Sequence, residues 1–448
     1  MSGEKKVHSE GLGFGELWAL GLGQVIGAGI ITTVGPAIGL TGYSVWLAYF
    51  AAIILGLIIN LPDIIFSSVT KFSGGDYSII TSLGGEKSGG MFIISFFLQM
   101  LTMSLYGTAL GIYIHSMFPG ANNIVTAILG ITVFYVINLM GTKNMATLQK
   151  VMSAFLVIAL LAFAVVGCVK GNIVPPLQFS GEKFFSGKGT GFIGAVMILV
   201  YSCQGYKLTV NYGGMAKNPT RDLPRAMLAV VPALIILYCG AALSDVSILP
   251  LSKVAGQPLT VAARAMFSTP VFYAFMIGAP IMALATSMNS TYGMAVGPYM
   301  QATKDGWLPE IFGKTNRHGA PVLILTIQLV VGVIPVLMGL SVGTIVSNIM
   351  VITSVFQFLL FYAIFKLPSK MPKKWAKSSM HMSNGMLYLV LIIACIAQAV
   401  ILFYSLKNLT LPLAIFNIAA VVVCFVYAIL RHRSGKTHIE TESILDQA

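Results

Sequence analysis

Apolar runs of about 20 residues follow one another along nearly the whole chain, with short polar stretches between them. A run of this length, coiled into an α-helix, is long enough to cross the hydrocarbon core of a bilayer. Of the 448 residues, 56% are hydrophobic and 9% are charged, whereas an ordinary soluble domain has about 25% charged residues. The sequence therefore predicts an all-α integral membrane protein.

Twelve of these runs qualify as transmembrane helices under a length criterion of about 20 residues. They lie near residues 14–40, 43–69, 90–118, 121–140, 146–169, 191–215, 225–249, 269–300, 321–338, 342–366, 386–406 and 411–430. Most of the 27 Lys and Arg residues then fall in the connections on one side, and such connections face the cytoplasm. We predict a multi-pass protein of the cell (plasma) membrane with both termini cytoplasmic. The basic composition thus reflects orientation among membrane lipids rather than binding to nucleic acid.

Two of the predicted spans, the first and the sixth, are interrupted by glycine. The first interruption comprises Val25, Ile26, Gly27, Ala28, Gly29 and Ile30, and the second comprises Tyr201, Ser202, Cys203, Gln204, Gly205 and Tyr206. Glycine inside a helix costs about 1 kcal/mol relative to alanine, and backbone groups freed by unwinding must line a cavity instead of facing lipid. Matched interruptions in two halves of a chain indicate a substrate site near the bilayer midplane. This pattern predicts a transporter.

The positions of the interrupted spans also predict an internal repeat. Each opens a set of five spans, and because five is odd the two sets enter the membrane from opposite sides. The predicted organisation is a cytoplasmic segment 1–13, a first inverted repeat 14–169, an extracellular loop 170–190, a second inverted repeat 191–366, two further helices 367–430 and a cytoplasmic tail 431–448. No connection can hold a catalytic domain, and no nucleophile, base or metal-ligand set appears. We expect no enzyme, no catalytic residues, no metal and no cofactor.

The backbone at the two interruptions can recognise a zwitterion. Free N–H groups at the start of the half-helix that follows Gly27 favour a carboxylate. Unpaired carbonyl groups before that point and at the second interruption accept hydrogen bonds from an ammonium group. An α-amino acid carries both groups on one carbon. The alternative is that Gly27, Ala28 and Gly29 form a small-residue packing face between helices, but the polar Ser202, Gln204 and Lys207 favour a site.

Four motifs, in this order, resemble those of the amino acid, polyamine and organocation transporter superfamily. They are Ile26–Ile30 in the first span, Phe72–Tyr77 after the second, Lys217–Ala226 after the sixth and Lys304–Pro309 after the eighth. Within the superfamily the chain is most similar to the L-amino-acid transporter group, and particularly to bacterial alanine-serine-cysteine exchangers. The resemblance covers nearly the whole chain.

The resemblance implies a fold of two inverted five-helix repeats with two extra helices, working by alternating access. It implies exchange of small neutral L-amino acids such as alanine, serine and cysteine, without an accessory subunit. By this resemblance, the substrate carboxylate would bind the backbone amides of Ala28 and Gly29. The substrate ammonium would bind the backbone carbonyls of Val25, Tyr201, Ser202 and Gln204. Tyr201 would also close over the substrate from outside. The segment Ser202–Tyr206 departs from the pattern of many eukaryotic relatives, so side-chain preference stays open.

Lys150 lies in the fifth predicted span, where an uncompensated charge costs at least about 2.5 kcal/mol. It either extends to the nearby cytoplasmic face or has a partner within the membrane. Sodium-coupled members of this fold hold a cation between spans one and eight, and relatives without sodium often place a lysine there. By this resemblance, the Lys150 ammonium would bind carbonyls of the first half-helix and Ser287. The prediction is sodium-independent transport; proton-coupled symport and a non-transporting amino-acid sensor remain alternatives.

Two acidic residues near the predicted inner face are candidates for ion coupling or for gating. Asp63, at the inner end of the second span, is either a coupling carboxylate or a residue at a helix kink that contacts cytoplasmic loops. Glu16, at the start of the first span, could pair with basic cytoplasmic loops and close an inner gate.

Overall fold

The computed structural model describes residues 11–439, except 180, 182, 187, 341, 408 and 410. Helices of eight or more residues form most of this part of the chain. They are α1 Phe14–Val25, α2 Ala28–Thr41, α3 Val45–Ser67, α4 Glu86–Gln99, α5 Thr102–Met117, α6 Asn123–Leu139, α7 Thr142–Lys170, α8 Lys188–Val200, α9 Pro219–Leu234, α10 Gly240–Ile248, α11 Thr269–Met276, α12 Met282–Lys304, α13 Val322–Leu337, α14 Val342–Phe365, α15 Asn384–Lys407 and α16 Leu411–Arg433.

Short helical segments connect or extend these helices. The short α-helices are Asp76–Ile79, Val174–Leu177, Leu251–Val254, Thr260–Met266, Leu367–Lys370 and Pro372–Lys377. The 3₁₀ segments are Gly42–Ser44, Tyr201–Cys203, Gly205–Met215 and Glu310–Gly313, and the π-helical segments are Ile80–Gly84, Ile235–Cys239 and Ile277–Ile281. Two isolated β-bridges, Leu12 with Ala216 and Thr315 with Pro321, are the strand-like pairings of the described residues. The all-helical class predicted from the sequence is confirmed.

Helices occupy every apolar run that the sequence predicts to be a span. Within the described residues, nine helical stretches are long and apolar enough to cross a membrane. Two apolar helices, α6 and α13, are shorter. The chain is a multi-pass membrane protein; the count of twelve spans and the inverted repeat stay predictions.

The interior of the bundle is formed around α1 and α12. Every residue of α1 from Ala19 to Val25 is buried, as is every residue of α12 from Ala283 to Ala295. By contrast, only 28% of the most apolar 18-residue stretch of α15 is buried, and only 17% of that of α16. Because the exposed residues of these two helices are largely aliphatic and aromatic, the faces suit lipid. A site enclosed by protein is therefore expected at the buried helices α1 and α12 and not at α15 or α16.

Both predicted helix interruptions are present. Helix α1 ends at Val25, Ile26 and Gly27 are not helical, and α2 begins at Ala28. Helix α8 ends at Val200, and the chain continues as the 3₁₀ segments on either side of Gln204. The second half of this interrupted helix is thus a 3₁₀ helix, which has poorer hydrogen-bond geometry than an α-helix and is uncommon at such length.

Candidate functional site

A cavity lies where the two interruptions meet. Its volume is about 90 Å³, and a single water needs about 10–15 Å³, so it has room for several waters or a small solute. The interruption residues that line it are Val25, Gly27, Gly29, Tyr201, Ser202, Gln204 and Gly205. The cavity therefore brings together residues that lie about 180 positions apart in the sequence.

The other predicted site residues lie beside the cavity rather than on its wall. Ile26, Ile30, Cys203 and Tyr206 are fully buried and do not line it. Ala28 begins α2, and its side chain lies outside the described parts of the structure. Of Ile26, Ile30, Cys203 and Tyr206, only the backbone can take part in the predicted binding mode.

The remaining lining residues come from other helices and give the cavity a mixed wall. Its polar members are Gln24, Gln99, Thr102, Lys207 and Thr353. Its apolar members are Leu105, Tyr106, Leu208, Met294, Ile349 and Met350. Lys207 is the charged side chain among the described residues that line the cavity, and a lysine next to a ligand selects strongly by charge.

Glycine is needed at the two interruptions because the chains approach closely there. A side chain at Gly29 would collide with Ser202, and a Cβ at Gly205 would lie 2.7 Å from the Gln24 carbonyl oxygen. A Cβ at Gly27 would lie 2.7 Å from the Ser287 hydroxyl oxygen. The absence of these side chains keeps backbone N–H and C=O groups at the cavity accessible.

The N–H groups at the beginning of α2 face no intrahelical acceptor, as at the start of any helix. Gly27 precedes the helix and supplies no side-chain cap. The positive end of the helix dipole lies at the same place. The amides of Ala28 and Gly29 are thus chemically suited to an anion, as the sequence predicts.

The carbonyl groups predicted to bind an ammonium already accept hydrogen bonds from two residues that the sequence reasoning missed. The Tyr238 hydroxyl lies within hydrogen-bond distance of two of them, Val25 O at 3.0 Å and Ser202 O at 3.2 Å, and can donate to either. Asn60 Nδ2 donates to Gln204 O at 3.0 Å. Tyr238 lies in the π-helical segment Ile235–Cys239, and such segments are frequent at functional sites. A single phenol therefore bridges the two interruptions.

The predicted contact between Lys150 and Ser287 is wrong. The Lys150 ammonium forms an ion pair with Glu16 Oε1 at 2.7 Å, and the two side chains are 46% and 29% exposed. The Ser287 hydroxyl donates instead to Gly23 O at 2.9 Å. On the exposed face of α7 the ammonium has a carboxylate partner, whereas burial would remove its hydration. Glu16 pairs with this lysine rather than with the cytoplasmic loops.

Gln149, the residue before Lys150, takes the place that the sequence assigned to the lysine. Its Nε2 donates to Ala19 O at 3.3 Å, and its Oε1 accepts a bond from Asn289 at 2.7 Å. Hydroxyl groups complete the contacts to α1, with Ser153 donating to Ala19 O at 3.1 Å and Ser290 to Leu20 O at 3.2 Å. We call Gln149, Ser153, Ser287, Asn289 and Ser290 the neutral cluster. It joins α1, α7 and α12 without a charge.

Within the described residues, no group of three or more His, Cys, Asp or Glu side chains is arranged to hold a metal ion. The five cysteines are all free. Cys203, next to the cavity, is buried and directs its sulfur at Leu199 O, 3.4 Å away. It acts here as a small core residue.

Comparison with known proteins identifies related permeases. The lysine-specific permease LysP of Lactococcus lactis subsp. cremoris (strain MG1363) is 23% identical over 335 residues, covering 68% of this chain and 65% of that protein. The probable threonine/serine transporter YbxG of Bacillus subtilis (strain 168) is 24% identical over 361 residues, covering 77% and 75%. Cationic amino acid transporter 6, chloroplastic, of Arabidopsis thaliana is 27% identical over 259 residues, covering 52% and 44%. The chain thus spans just under two thirds of the lysine permease.

Residues 12–430 match the amino acid permease family. Since this match covers most of the 448 residues, the chain belongs to that family. This match confirms the superfamily that the motifs indicated; the narrower L-amino-acid transporter group stays a prediction. The relatives named here are permeases and transporters rather than enzymes.

Proposed function

We propose that this protein is a sodium-independent exchanger of small neutral L-amino acids that works by alternating access in the cell membrane. The observation that carries the proposal is the cavity at the junction of two interrupted helices, lined by Val25, Gly27, Gly29, Ser202 and Gln204. Both ends of a free amino acid find complementary backbone groups around it. The interruptions also supply the flexible points that a carrier needs to open to each side in turn.

The binding mode follows from the backbone dipoles. The substrate carboxylate binds the amides of Ala28 and Gly29, and the ammonium binds the carbonyls of Val25, Tyr201, Ser202 and Gln204. Each carbonyl oxygen has two lone pairs, so the bonds from Tyr238 and Asn60 leave acceptor capacity. Tyr201 closes the cavity on the outer side.

The neutral cluster supports independence from sodium. A sodium ion between α1 and α12 would bind carbonyl and hydroxyl oxygens, but Ala19 O already accepts from both Gln149 and Ser153, and the hydroxyls of Ser287 and Ser290 are bonded to Gly23 O and Leu20 O. The described side chains at this junction include no carboxylate to balance a bound cation. The amide of Gln149 makes a contact to a carbonyl of α1, as predicted for Lys150, but without the charge and without contact to Ser287.

Lys207 supports a neutral substrate. Relatives of this chain are named for lysine, for cationic amino acids and for threonine or serine, so substrate charge differs within the family. Lys207 lines the cavity whereas the Asp63 and Asp76 carboxylates do not, so a cationic side chain in the cavity meets the like charge of the ammonium at the closer range. The small volume of the cavity favours side chains such as those of alanine, serine and cysteine.

Proton-coupled symport on the same fold is the second candidate. The observation that favours it is a buried group of charged residues below the cavity, in which Lys207 is linked through Gln357 to Asp63. Symport differs from exchange in that a proton accompanies the amino acid inward and the empty carrier then returns.

Counterflow in proteoliposomes tests the proposal. Vesicles containing the full chain and internal alanine should take up labelled serine faster than vesicles without internal amino acid, with sodium replaced by choline. Lysine should compete poorly and alanine well. Uptake that rises steeply with sodium contradicts sodium independence, and a lack of acceleration by internal amino acid contradicts exchange.

A pair of glycine variants gives the matched control. Gly29→Ala should abolish counterflow, because the methyl group collides with Ser202 at the cavity. Gly15→Ala, in the same interrupted helix, has no neighbour within 4 Å of the added Cβ and should transport normally. Equal activity of the two variants would contradict a site at the interruptions.

A further inference from the structure

The connection between α14 and α15 carries a concentrated positive charge. Five lysines lie between positions 366 and 377, namely Lys366, Lys370, Lys373, Lys374 and Lys377. The sequence has no acidic residue from position 311 to position 439, so no neighbour along the chain offsets this charge. The basic connections at 216–225 and 304–317, by contrast, each include aspartate or glutamate. We call residues 366–377 the basic segment.

The basic segment is folded and amphipathic. It consists of two short helices, Leu367–Lys370 and Pro372–Lys377. Its apolar residues recur every four positions, as on one face of a helix, and all are buried: Leu367 is 0%, Met371 8% and Trp375 2% exposed. Three of its lysines are exposed, namely Lys370, Lys373 and Lys377. One face therefore packs on the protein while the other presents ammonium groups.

Hydrogen bonds hold the basic segment in place. Trp375 Nε1 donates to Oδ1 of Asn384, the first residue of α15, at 3.2 Å. Lys374 donates to Thr70 Oγ1 at 3.3 Å. Ser378, directly after the segment, shares a hydrogen bond of 2.6 Å with the Ser68 hydroxyl. Because Ser68 and Thr70 follow the end of α3, the segment is attached to that helix as well as to α15.

The basic segment lies where an apolar surface meets water. The helical stretches on either side of it, Asn348–Phe365 and Asn384–Lys407, are each long and apolar enough to cross a membrane. Tyr362 and Phe365, at the end of α14, are 51% and 52% exposed, and exposed aromatic residues are enriched at membrane interfaces. The headgroups of phospholipids form the layer next to the hydrocarbon core. The lysines therefore lie at the level of the headgroups.

The three exposed lysines have ammonium groups that are available to a ligand. In the described part of the chain, no carboxylate lies within 4 Å of Lys370, Lys373 or Lys377. An ammonium is a compact donor that suits phosphate oxygens. A zwitterionic lipid carries its own cation beside the phosphate, whereas an anionic lipid has a net negative charge. Charge complementarity therefore favours anionic lipids here.

We propose that the basic segment is a docking surface for the headgroups of anionic phospholipids in the leaflet predicted to be cytoplasmic. The acyl chains of such a lipid cover the exposed apolar residues at the end of α14, and its phosphate meets the lysines above them. A soluble anion could use only the second of these contacts. Through Ser68 and Thr70, bound headgroups also stabilise the position of the connection that follows α3.

Thermal unfolding of the purified full chain in a neutral detergent tests this inference. A ligand that binds the folded state raises the unfolding midpoint. Phosphatidylglycerol should therefore raise the midpoint by several degrees more than the same amount of phosphatidylcholine. Potassium chloride at about 0.5 M should remove more than half of this difference, since salt screens exposed charges. Equal shifts with the two lipids would overturn the inference.

Two triple variants locate the effect. Lys370→Gln/Lys373→Gln/Lys377→Gln removes three exposed charges and should lose more than half of the difference between the two lipids. Its midpoint in phosphatidylcholine should stay unchanged, because no buried group is altered. The matched control is Lys87→Gln/Lys143→Gln/Lys314→Gln, which removes three exposed lysines from three other connections predicted to lie on the same side. It should keep the full difference.

The remaining outcomes are also decisive. An equal loss in both triple variants would mean that net charge sets the response, which overturns the assignment to the basic segment. A shift by glycerol 3-phosphate as large as that by phosphatidylglycerol would mean that the surface binds a soluble anion, which overturns the lipid. Unfolding does not involve transport, so a failure here leaves the proposed exchanger intact, and a failure of counterflow leaves this inference intact.

Discussion

The neutral cluster and the charged cluster are two buried polar groups that contrast in composition. In the neutral cluster, amides and hydroxyls connect α1 to α7 and α12, and the Gln149 side chain both donates and accepts. In the charged cluster, which comprises Asp63, Asp76, Lys207 and Gln357, the glutamine joins Lys207 to Asp63, and Oδ1 of each aspartate has no partner in the described structure. One group is nearly saturated with hydrogen bonds and the other is not.

This difference indicates different tasks. A saturated neutral network holds helices together, because each broken bond leaves an unsatisfied buried group. An incompletely bonded charged group is costly in any single state, so it is suited to a part of the molecule that changes state. The close packing of the neutral cluster is also seen at Gly23, where the Gln149 amide lies so near the backbone that no side chain would fit.

The largest effect on stability is expected from Lys207→Met. Removal of the ammonium leaves Gln357 Oε1 without its donor and removes the cation within electrostatic range of Asp63 and Asp76. Leaving a buried charge uncompensated costs about 3–5 kcal/mol. The unfolding midpoint in detergent should fall accordingly. The double variant Lys207→Met/Asp63→Asn should regain most of the loss. If the single variant is as stable as the unaltered chain, the Lys207 ammonium does not stabilise the charged cluster.

A smaller effect is expected from Gln149→Leu in the neutral cluster. The substitution removes one of the two acceptors of Asn289 Nδ2, leaving Met145 O, and leaves Ala19 O with the Ser153 hydroxyl as its side-chain donor. An unsatisfied buried group costs about 1–3 kcal/mol. Thermal unfolding of the purified protein measures the loss. A drop larger than that of Lys207→Met would reverse the ranking of the two clusters.

The smallest effect is expected from Lys150→Ala. This variant removes a half-exposed ion pair with Glu16, and such pairs contribute about 0–1 kcal/mol. Counterflow and the unfolding midpoint should both stay close to those of the unaltered chain. Loss of transport with a normal midpoint would instead favour the role first predicted for this lysine, between the first half-helix and Ser287.

The helix pattern and both interruptions could be predicted from the sequence, because apolar length and clustered glycine are local signals. The interruption at Gly27 and the one at Gln204 are found where glycine and polar residues break the apolar runs. The 3₁₀ form of Gly205–Met215 could not be predicted in this way, since it depends on the helices packed around it.

The partners of single polar residues were beyond prediction. Adjacent residues on a helix point about 100° apart, so an error of one position exchanges a buried side chain for an exposed one. This is what happened with Lys150 and Gln149. Asp63 and Gln357 are 294 residues apart in sequence, and nothing local marks them as neighbours. Tyr238 likewise resembles any other aromatic residue in an apolar run.

The phenol that bridges the interruptions has one hydrogen to give, yet it lies within bonding distance of both Val25 O and Ser202 O. A hydroxyl can donate fully to only one acceptor at a time. In the proposed binding mode, the substrate nitrogen therefore competes with a donor that the protein itself supplies. Recognition here replaces one hydrogen-bond donor with another. When the substrate ammonium binds one of the two carbonyl oxygens, the Tyr238 hydroxyl donates to the other.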